Sequence, residues 1–326
     1  DGCTLCGRCS MVCPMGNDIA YMIRKEREAM VAAGHAPKDL ENAARRTIEK
    51  GSPMGVTLHT LKSQIAHIER ETGVEIPLDI PGVDYMAILS SMEIMNYAEY
   101  IEGIARIFKA AGVSWTLSSE AYEATNAGIQ LGDSRVAAEL VERIVRAAEQ
   151  LGVKAVISPE CGHAYTAIRW EGPNLIGRPY SFEVLHILEL LDQLHRDGRL
   201  NTTGTTNEPL TFHDPCQLVR RGGVVAQPQD LLSTVAENVV EMKSHGVMNW
   251  CCGGGGGVSA IERSQPLRAK VFECKKRQLE QCNVDLLVCP CANCRTTIED
   301  GLEENEMDIP VIGLTEMLAE HLVEEE

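Results

Sequence analysis

Ten of the thirteen cysteines in this 326-residue chain fall into two patterns whose spacing suits metal chemistry. The first is Cys3-x-x-Cys6-x-x-Cys9-x-x-x-Cys13-Pro14. Three closely spaced thiols can bind three corners of a [4Fe-4S] cube, and a fourth standing before proline turns away. That fourth thiol, Cys13, either closes a single cube or ligates a second cluster whose main motif lies before Asp1. The second arrangement is expected, because the chain opens inside a motif, and the true N-terminus is then upstream. Zinc is the alternative occupant.

The second pattern is spread over three places. His213-Asp214-Pro215-Cys216 comes first, then Trp250-Cys251-Cys252-Gly253 with four further glycines, then Cys289-Pro290-Cys291-Ala292-Asn293-Cys294. Adjacent side chains diverge, so Cys251 and Cys252 do not easily share one tetrahedral zinc, whereas a body with several irons can use both. Gly253 and Gly254 are candidate cofactor contacts, because glycine removes side chains where backbone must approach a bulky group and permits positive φ. No Lys-Ser/Thr follows the glycines, which argues against a phosphate loop.

Taken together, Cys216…Cys251-Cys252-Gly253…Cys291-x-x-Cys294 resembles the CCG domain of heterodisulfide reductase catalytic subunits (HdrB and HdrD) and of the related sulfur-metabolism protein DsrK. The resemblance implies that Cys216, Cys251, Cys252, Cys291 and Cys294 bind one noncubane [4Fe-4S] cluster, with Cys289 as a rival thiol. It implies one or two cubane clusters on Cys3, Cys6, Cys9 and Cys13 that carry electrons to and from it. The implied activity is that of an oxidoreductase acting on sulfur groups, which reduces or forms a disulfide, a thiol or a protein-bound trisulfide. The implied partners are that substrate, free or carried on a small protein, and a membrane haem subunit or a flavin iron–sulfur subunit. Two rivals stand beside this reading. One is an electron-relay iron–sulfur subunit of a glycolate-type flavin oxidase, which also carries CCG domains. The other is a non-catalytic, metal-stapled scaffold or redox sensor.

Composition sets the outer bounds. A formal charge of −17 argues against nucleic acid or an anionic membrane surface as a direct partner. The cysteine spacings are metal-like rather than those of a disulfide framework, and no secretory signal is visible. No apolar run is long enough to cross a bilayer. The expected location is cytoplasmic, at the inner membrane face through a partner.

The elements that must position these thiols can be read from periodicity. Helices are expected over Asn17–Gly34, Lys38–Lys50 and Thr57–Thr72, and the pattern breaks at the prolines near Ile76–Gly82. From Val83 strands and helices alternate. Strands are expected at Tyr85–Leu89, Val113–Leu117, Lys154–Ser158, Leu210–His213, Val239–Met242 and Asp285–Val288. Helices are expected at Ile94–Ala111, Ser134–Leu151, Gln229–Ala236 and Ala260–Gln281, and after Cys291 and Thr315. The fold class is therefore α/β: a helical ferredoxin-like 4Fe-4S module followed by a pseudo-twofold duplicated βα CCG domain, with ligands at the carboxyl ends of parallel strands. The expected divisions are 1–80, 83–200 and 205–326.

The halves match in detail. Val156–His163 parallels Leu287–Cys294, Ser90-Ser91 falls near the position of Cys216, and Trp115 parallels Trp250. The first half thus reads as a CCG unit that has lost its thiols, except Cys161, and should hold no cluster. Cys161 and His163 are candidate cleft residues, with His163 carrying protons. His213 is a candidate proton donor or hydrogen-bonder to the cluster. Glu160, Asp214, Tyr165 and Arg169 are weaker candidates, and Cys274 and Cys282 are read as packing.

Overall fold

The computed structural model describes residues 1–323. The chain begins with one helical turn, α1 (Arg8–Met11), and three longer helices, α2 (Ile19–Ala32), α3 (Lys38–Lys50) and α4 (Leu58–Thr72). The Asp18 and Thr57 side chains accept the main-chain N–H of Tyr21 and Thr60, capping α2 and α4. On α4, Leu61, Ile65 and Ile68 recur at helical spacing and are buried in the same core as Met86, Ile104 and Phe108. The proline-rich segment that follows is stitched to the first sheet: Leu117 N–H donates to the Pro77 carbonyl (2.8 Å) and Asp79 N–H to the Leu117 carbonyl (2.9 Å).

The first sheet is built from β1 (Tyr85–Ala87), α5 (Ser91–Asn96), α6 (Ala98–Ala110), β2 (Trp115–Thr116), α7 (Ala127–Leu131), α8 (Ser134–Leu151), β3 (Ala155–Ser158), α9 (Gly162–Thr166), α10 (Gly172–Ile176), β4 (Glu183–His186) and α11 (Ile187–Arg196). Its strand order is β2-β1-β3-β4, and every pairing is parallel. A second parallel sheet, ordered β5-β6-β7, comes from β5 (Leu210–Phe212), α12 (Ala226–Leu232), α13 (Gln265–Cys282), β6 (Leu286–Val288), α14 (Ala292–Glu304), β7 (Val311–Ile312) and α15 (Leu314–Glu320). The protein is thus α/β, with crossovers between parallel strands.

The two sheets repeat the same steps. Tyr85 pairs with Ala155 as Leu210 pairs with Leu286. Just beyond, Ile88 N–H donates to the Ile157 carbonyl (3.1 Å) and His213 N–H to the Val288 carbonyl (2.9 Å). Three residues further on, Ser91 stands at the step that Cys216 holds in the other sheet. Cys161 after β3 and Cys291 after β6 both cap the helix that follows, α9 and α14 respectively. Each donates its N–H two residues back, Cys161 to Pro159 (2.6 Å) and Cys291 to Cys289 (2.8 Å).

Several expectations are corrected. The helix expected over Ile94–Ala111 is two, α5 and α6, because Tyr97 leaves helical conformation (φ −133°, ψ 63°). Val239 makes one isolated parallel bridge to Leu210 in place of a strand. Since Tyr85 pairs with Trp115 and Leu210 with Val239, Trp115 corresponds to Val239 and not to Trp250. The helix expected from Ala260 starts at Gln265, where Pro266 occupies its first turn. Strands β4 and β7 escaped the sequence reading, since four and two residues carry too little alternation to be seen.

The two sheets meet where these strand-to-helix turns touch. A methyl group placed on Gly162 would lie 2.3 Å from the main-chain nitrogen of Leu218, and the atoms in the way are backbone. Gly162→Ala should therefore destabilise the protein by about 1–3 kcal/mol, the usual cost of overpacking, read as a lower urea midpoint; an unchanged midpoint would show that the turns can separate freely.

Candidate metal centre and the cavity beside it

Cys216, Cys251, Cys252, Cys289, Cys291 and Cys294 are all buried free thiols. Cys216 follows β5, Cys291 caps α14 and Cys294 lies one turn into it. Their sulfurs form a continuous string. The Cys216 and Cys251 Sγ atoms lie 4.0 Å apart, and those of Cys252 and Cys294 lie 3.2 Å apart. The thiols of Cys289 and Cys291 both hydrogen-bond to Cys294, and Cys6 reaches Cys251 from the N-terminal run. Of the other N-terminal thiols, Cys9 is exposed and Cys3 and Cys13 are half-buried. Cys274 and Cys282, also half-buried, point away: Cys282 donates toward the Glu241 carbonyl (3.8 Å) and Cys274 lies 3.3 Å from Arg277.

The loop that carries the adjacent pair is held by Arg220. Its guanidinium donates to the carbonyls of Val247 (2.7 Å), Asn249 (2.7 Å) and Cys6 (2.8 Å). The Asn249 side chain in turn donates to the Asp214 carbonyl, and the Asp214 carboxylate accepts Gly246 N–H (2.7 Å). Gly253 has φ +99°, the left-handed region glycine alone adopts without strain, and a methyl on Gly254 would lie 2.1 Å from Thr297 Oγ1. Both glycines thus let the loop fold tightly against α13 and α14.

Charge is distributed unusually along the string. Cys251 is held below the ordinary thiol range chiefly by the Cys216 thiol, and Cys252 by those of Cys251 and Cys294; Cys216 and Cys294 are pushed up by the same bonds. Lys275, on α13, is fully buried with its Nζ 3.4 Å from Met242 Sδ. Burial lowers its pKa, and the neighbouring sulfurs oppose that, Cys252 first; of these, Cys251 and Cys252 are the ones held toward the thiolate. No carboxylate pairs with it among the described residues, so the thiolates are its counter-charge. His213 is buried with neither ring nitrogen hydrogen-bonded, and one of them lies within 4.8 Å of the Cys252 and Cys294 sulfurs. Burial, then Lys275, depresses its pKa and keeps the ring neutral.

These features fit an iron–sulfur group. Soft thiolates suit iron–sulfur clusters. An unpaired buried lysine demands anionic neighbours, and the unpartnered His213 ring stands ready to hydrogen-bond to a group among the sulfurs.

A cavity of about 300 Å³ adjoins the string. It is lined by Cys216, Cys252, Cys291, Cys294 and Gly254 together with Cys161, His163, Ser91 and Thr125. His163 Nε2 lies 3.1 Å from the Asn126 carbonyl, and burial depresses its pKa. The Cys161 thiol is pushed up, first by burial and then by Cys291. Glu160 does not line the cavity; its Oε1 accepts the N–H and hydroxyl of Thr315 (2.7 Å each). Asp214, Tyr165 and Arg169 also lie off the cavity wall, with Tyr165 edge-on to His186 at 5.6 Å.

Lys275 and Glu123, a buried acid behind Ser91, were missed by sequence reasoning. For Lys275 the signal was present: it lies between Phe272 and Leu279 on the buried face of α13.

Residues 210–299, which carry the buried thiol set, match the CCG family, described as a cysteine-rich domain. Over nearly its whole length the chain is also similar to the HdrD component of the dihydromethanophenazine:CoB–CoM heterodisulfide reductase of Methanosarcina barkeri, at 28% identity, covering 98% of this chain and 77% of that protein. It is 25% identical to the Hdr-like menaquinol oxidoreductase iron–sulfur subunit of Archaeoglobus profundus, covering 98% of this chain and 66% of that protein. It is 27% identical to EtfAB:quinone oxidoreductase of Syntrophomonas wolfei, covering 97% of this chain and 45% of that protein. The chain is thus similar over nearly its whole length to iron–sulfur subunits of Hdr-like oxidoreductases. No helix among the described residues is long and apolar enough to cross a membrane.

Lys275→Met should lower the midpoint potential of the iron–sulfur signal on the order of 60 mV, the one-electron equivalent of a tenfold change, because the reduced and more negative state loses its buried cation. A potentiometric titration followed by electron paramagnetic resonance checks this, and an unchanged potential would place the lysine outside the electrostatics of the centre.

Proposed function

We propose that this chain is the catalytic iron–sulfur subunit of a heterodisulfide reductase- or DsrK-like complex that reduces or forms a disulfide, or handles a protein-bound thiol or trisulfide. On this reading Cys216, Cys251, Cys252, Cys291 and Cys294 hold a noncubane [4Fe-4S] cluster, and Cys3, Cys6, Cys9 and Cys13 hold one or two cubane clusters in a ferredoxin-type module over 1–80. The 83–200 half carries no cluster and the 205–326 half carries the noncubane one. When bound, the noncubane cluster supplies electrons singly to a substrate sulfur.

The observation that carries the reading is the convergence of the buried thiol string on a cavity that Cys161 and His163 also line. Five thiols on four irons, two of them adjacent in sequence, do not map one-to-one onto a cube. The chain's own side chains shape what can enter. The cavity is at the lower end of ligand-pocket sizes, enough for a small disulfide or the tip of a protein-borne one. His163, neutral and bonded at Nε2, helps to orient a sulfur in the cavity. The Cys161 thiol stays protonated there. The partners follow from the same reading: a membrane haem subunit or a flavin iron–sulfur subunit, at the cytoplasmic membrane face.

The test is to reduce the loaded protein with dithionite, remove the excess, add small disulfides and count the thiols released. Release of two thiols per two electrons is expected, and none would reject the reading. A second reading, an electron relay to a flavin partner, is favoured by the similarity to EtfAB:quinone oxidoreductase across the whole chain. It expects oxidation by a flavoprotein and no thiol release.

Cys252→Ser should abolish the thiol-dependent paramagnetic signal while leaving the cubane signal intact. Survival of both signals, or their joint loss in a folded variant, would overturn the ligand set.

A further inference from the structure

In the first sheet, at the step where the second carries Cys216, Ser91 leads to a buried acid. Ser91 Oγ lies 2.9 Å from Glu123 Oε1 and 2.7 Å from Ser52 Oγ. Ser52 Oγ already accepts the N–H groups of Met54 (3.2 Å) and Val56 (3.1 Å), so its own hydrogen points at Ser91. The Ser91 hydrogen is therefore directed to Glu123. The carboxyl group also takes Ser91 N–H on Oε1 (3.2 Å) and Thr125 N–H on Oε2 (3.0 Å). Ser91 and Thr125 line the main cavity and Glu123 sits directly behind them. On its far side is a second cavity of about 10 Å³, lined by Glu123, Thr125, Gly51 and Arg143. That is the room of about one water molecule.

We propose that Glu123 is the proton reservoir for sulfur chemistry in the main cavity, passing protons through the Ser91 hydroxyl and refilling through the small cavity behind it. This deepens the disulfide reading and rests on it. Reduction of R–S–S–R′ takes two electrons, here from a low-potential iron–sulfur or dithionite donor, and two protons. As the S–S bond breaks, the leaving thiolate takes the Ser91 hydrogen, Ser91 takes the Glu123 proton, and a carboxylate remains. The second thiolate is protonated the same way after Glu123 refills. In the oxidative direction each step reverses.

Burial pushes the Glu123 pKa up to about 7, against the hydrogen bonds from Thr125 and Ser91 that favour the carboxylate. The acid is thus part-protonated near neutrality, where a proton donor works best. His163 is a poorer store, since burial disfavours its charged form.

The sign follows directly. Reduction needs the protonated acid, so the wild-type rate should be level below the Glu123 pKa and fall above pH about 7. Glu123→Gln should lose that limb and slow reduction roughly 100-fold, with both paramagnetic signals unchanged. Ser91→Ala, which keeps the acid and cuts its link to the cavity, should lose the same limb. Infrared titration should show a neutral carboxyl band disappearing near pH 7 in the wild type and in Ser91→Ala, but absent from Glu123→Gln. If Glu123→Gln does not fold, the Ser91→Ala profile and the wild-type band decide. A retained limb in either variant, or no such band in the wild type, overturns the proposal while disulfide cleavage stands. Absence of thiol release by the wild type rejects the disulfide reading, and this proposal with it.

Discussion

The close approach of two strand-to-helix turns at the pseudo-twofold governs the geometry of the site. Gly162 presses on the backbone of Leu218, and the Glu160 carbonyl accepts Ala292 N–H (3.0 Å) across the junction. Glu160 continues the tie through its carboxyl group, which accepts from Thr315 and whose pKa burial pushes up to about 8. These contacts fix α9 and α14 beside each other. Cys161 and His163 consequently line the same cavity as the thiol string rather than lying on separate surfaces.

Around that junction the protein arranges charge by burial. The surface is strongly acidic, but the carboxyl groups nearest the cavity, those of Glu93, Glu123 and Glu160, are buried and all shifted upward chiefly by desolvation. Histidines 163, 186 and 213 are shifted downward for the same reason. Both effects favour neutral forms. The thiolates and Lys275 then dominate the field at the centre, and the metal centre's charge is balanced locally rather than by the acidic exterior.

The α/β class, the major helices and the thiol set were legible because each rests on local pattern. Leu61, Ile65 and Ile68 repeat at helical spacing, and Cys291 and Cys294 sit one turn apart. What escaped depends on tertiary placement. Trp115 was paired with Trp250 by residue type, whereas strand register pairs it with Val239. Lys275 read as one more charge on a charged helix until its neighbours proved to be sulfurs. Glu123 had no motif at all: its interest arises from Ser91, thirty-two positions away in sequence. The approach of Cys6 to Cys251 was equally invisible, since nothing in either motif specifies the loop that joins them.

Arg220 gives that approach a further meaning. One guanidinium grips the carbonyls of Cys6, Val247 and Asn249, a planar fork that lysine could not reproduce. Gln217 adds a bond to the Leu5 carbonyl (2.7 Å), and Arg27 spans from Cys3 to Gly256 (2.7 Å each). The N-terminal segment is therefore not an interchangeable cassette. A relative's segment grafted here would have to offer its backbone carbonyls in this same arrangement, so the two cysteine regions must be inherited and must diverge as a pair.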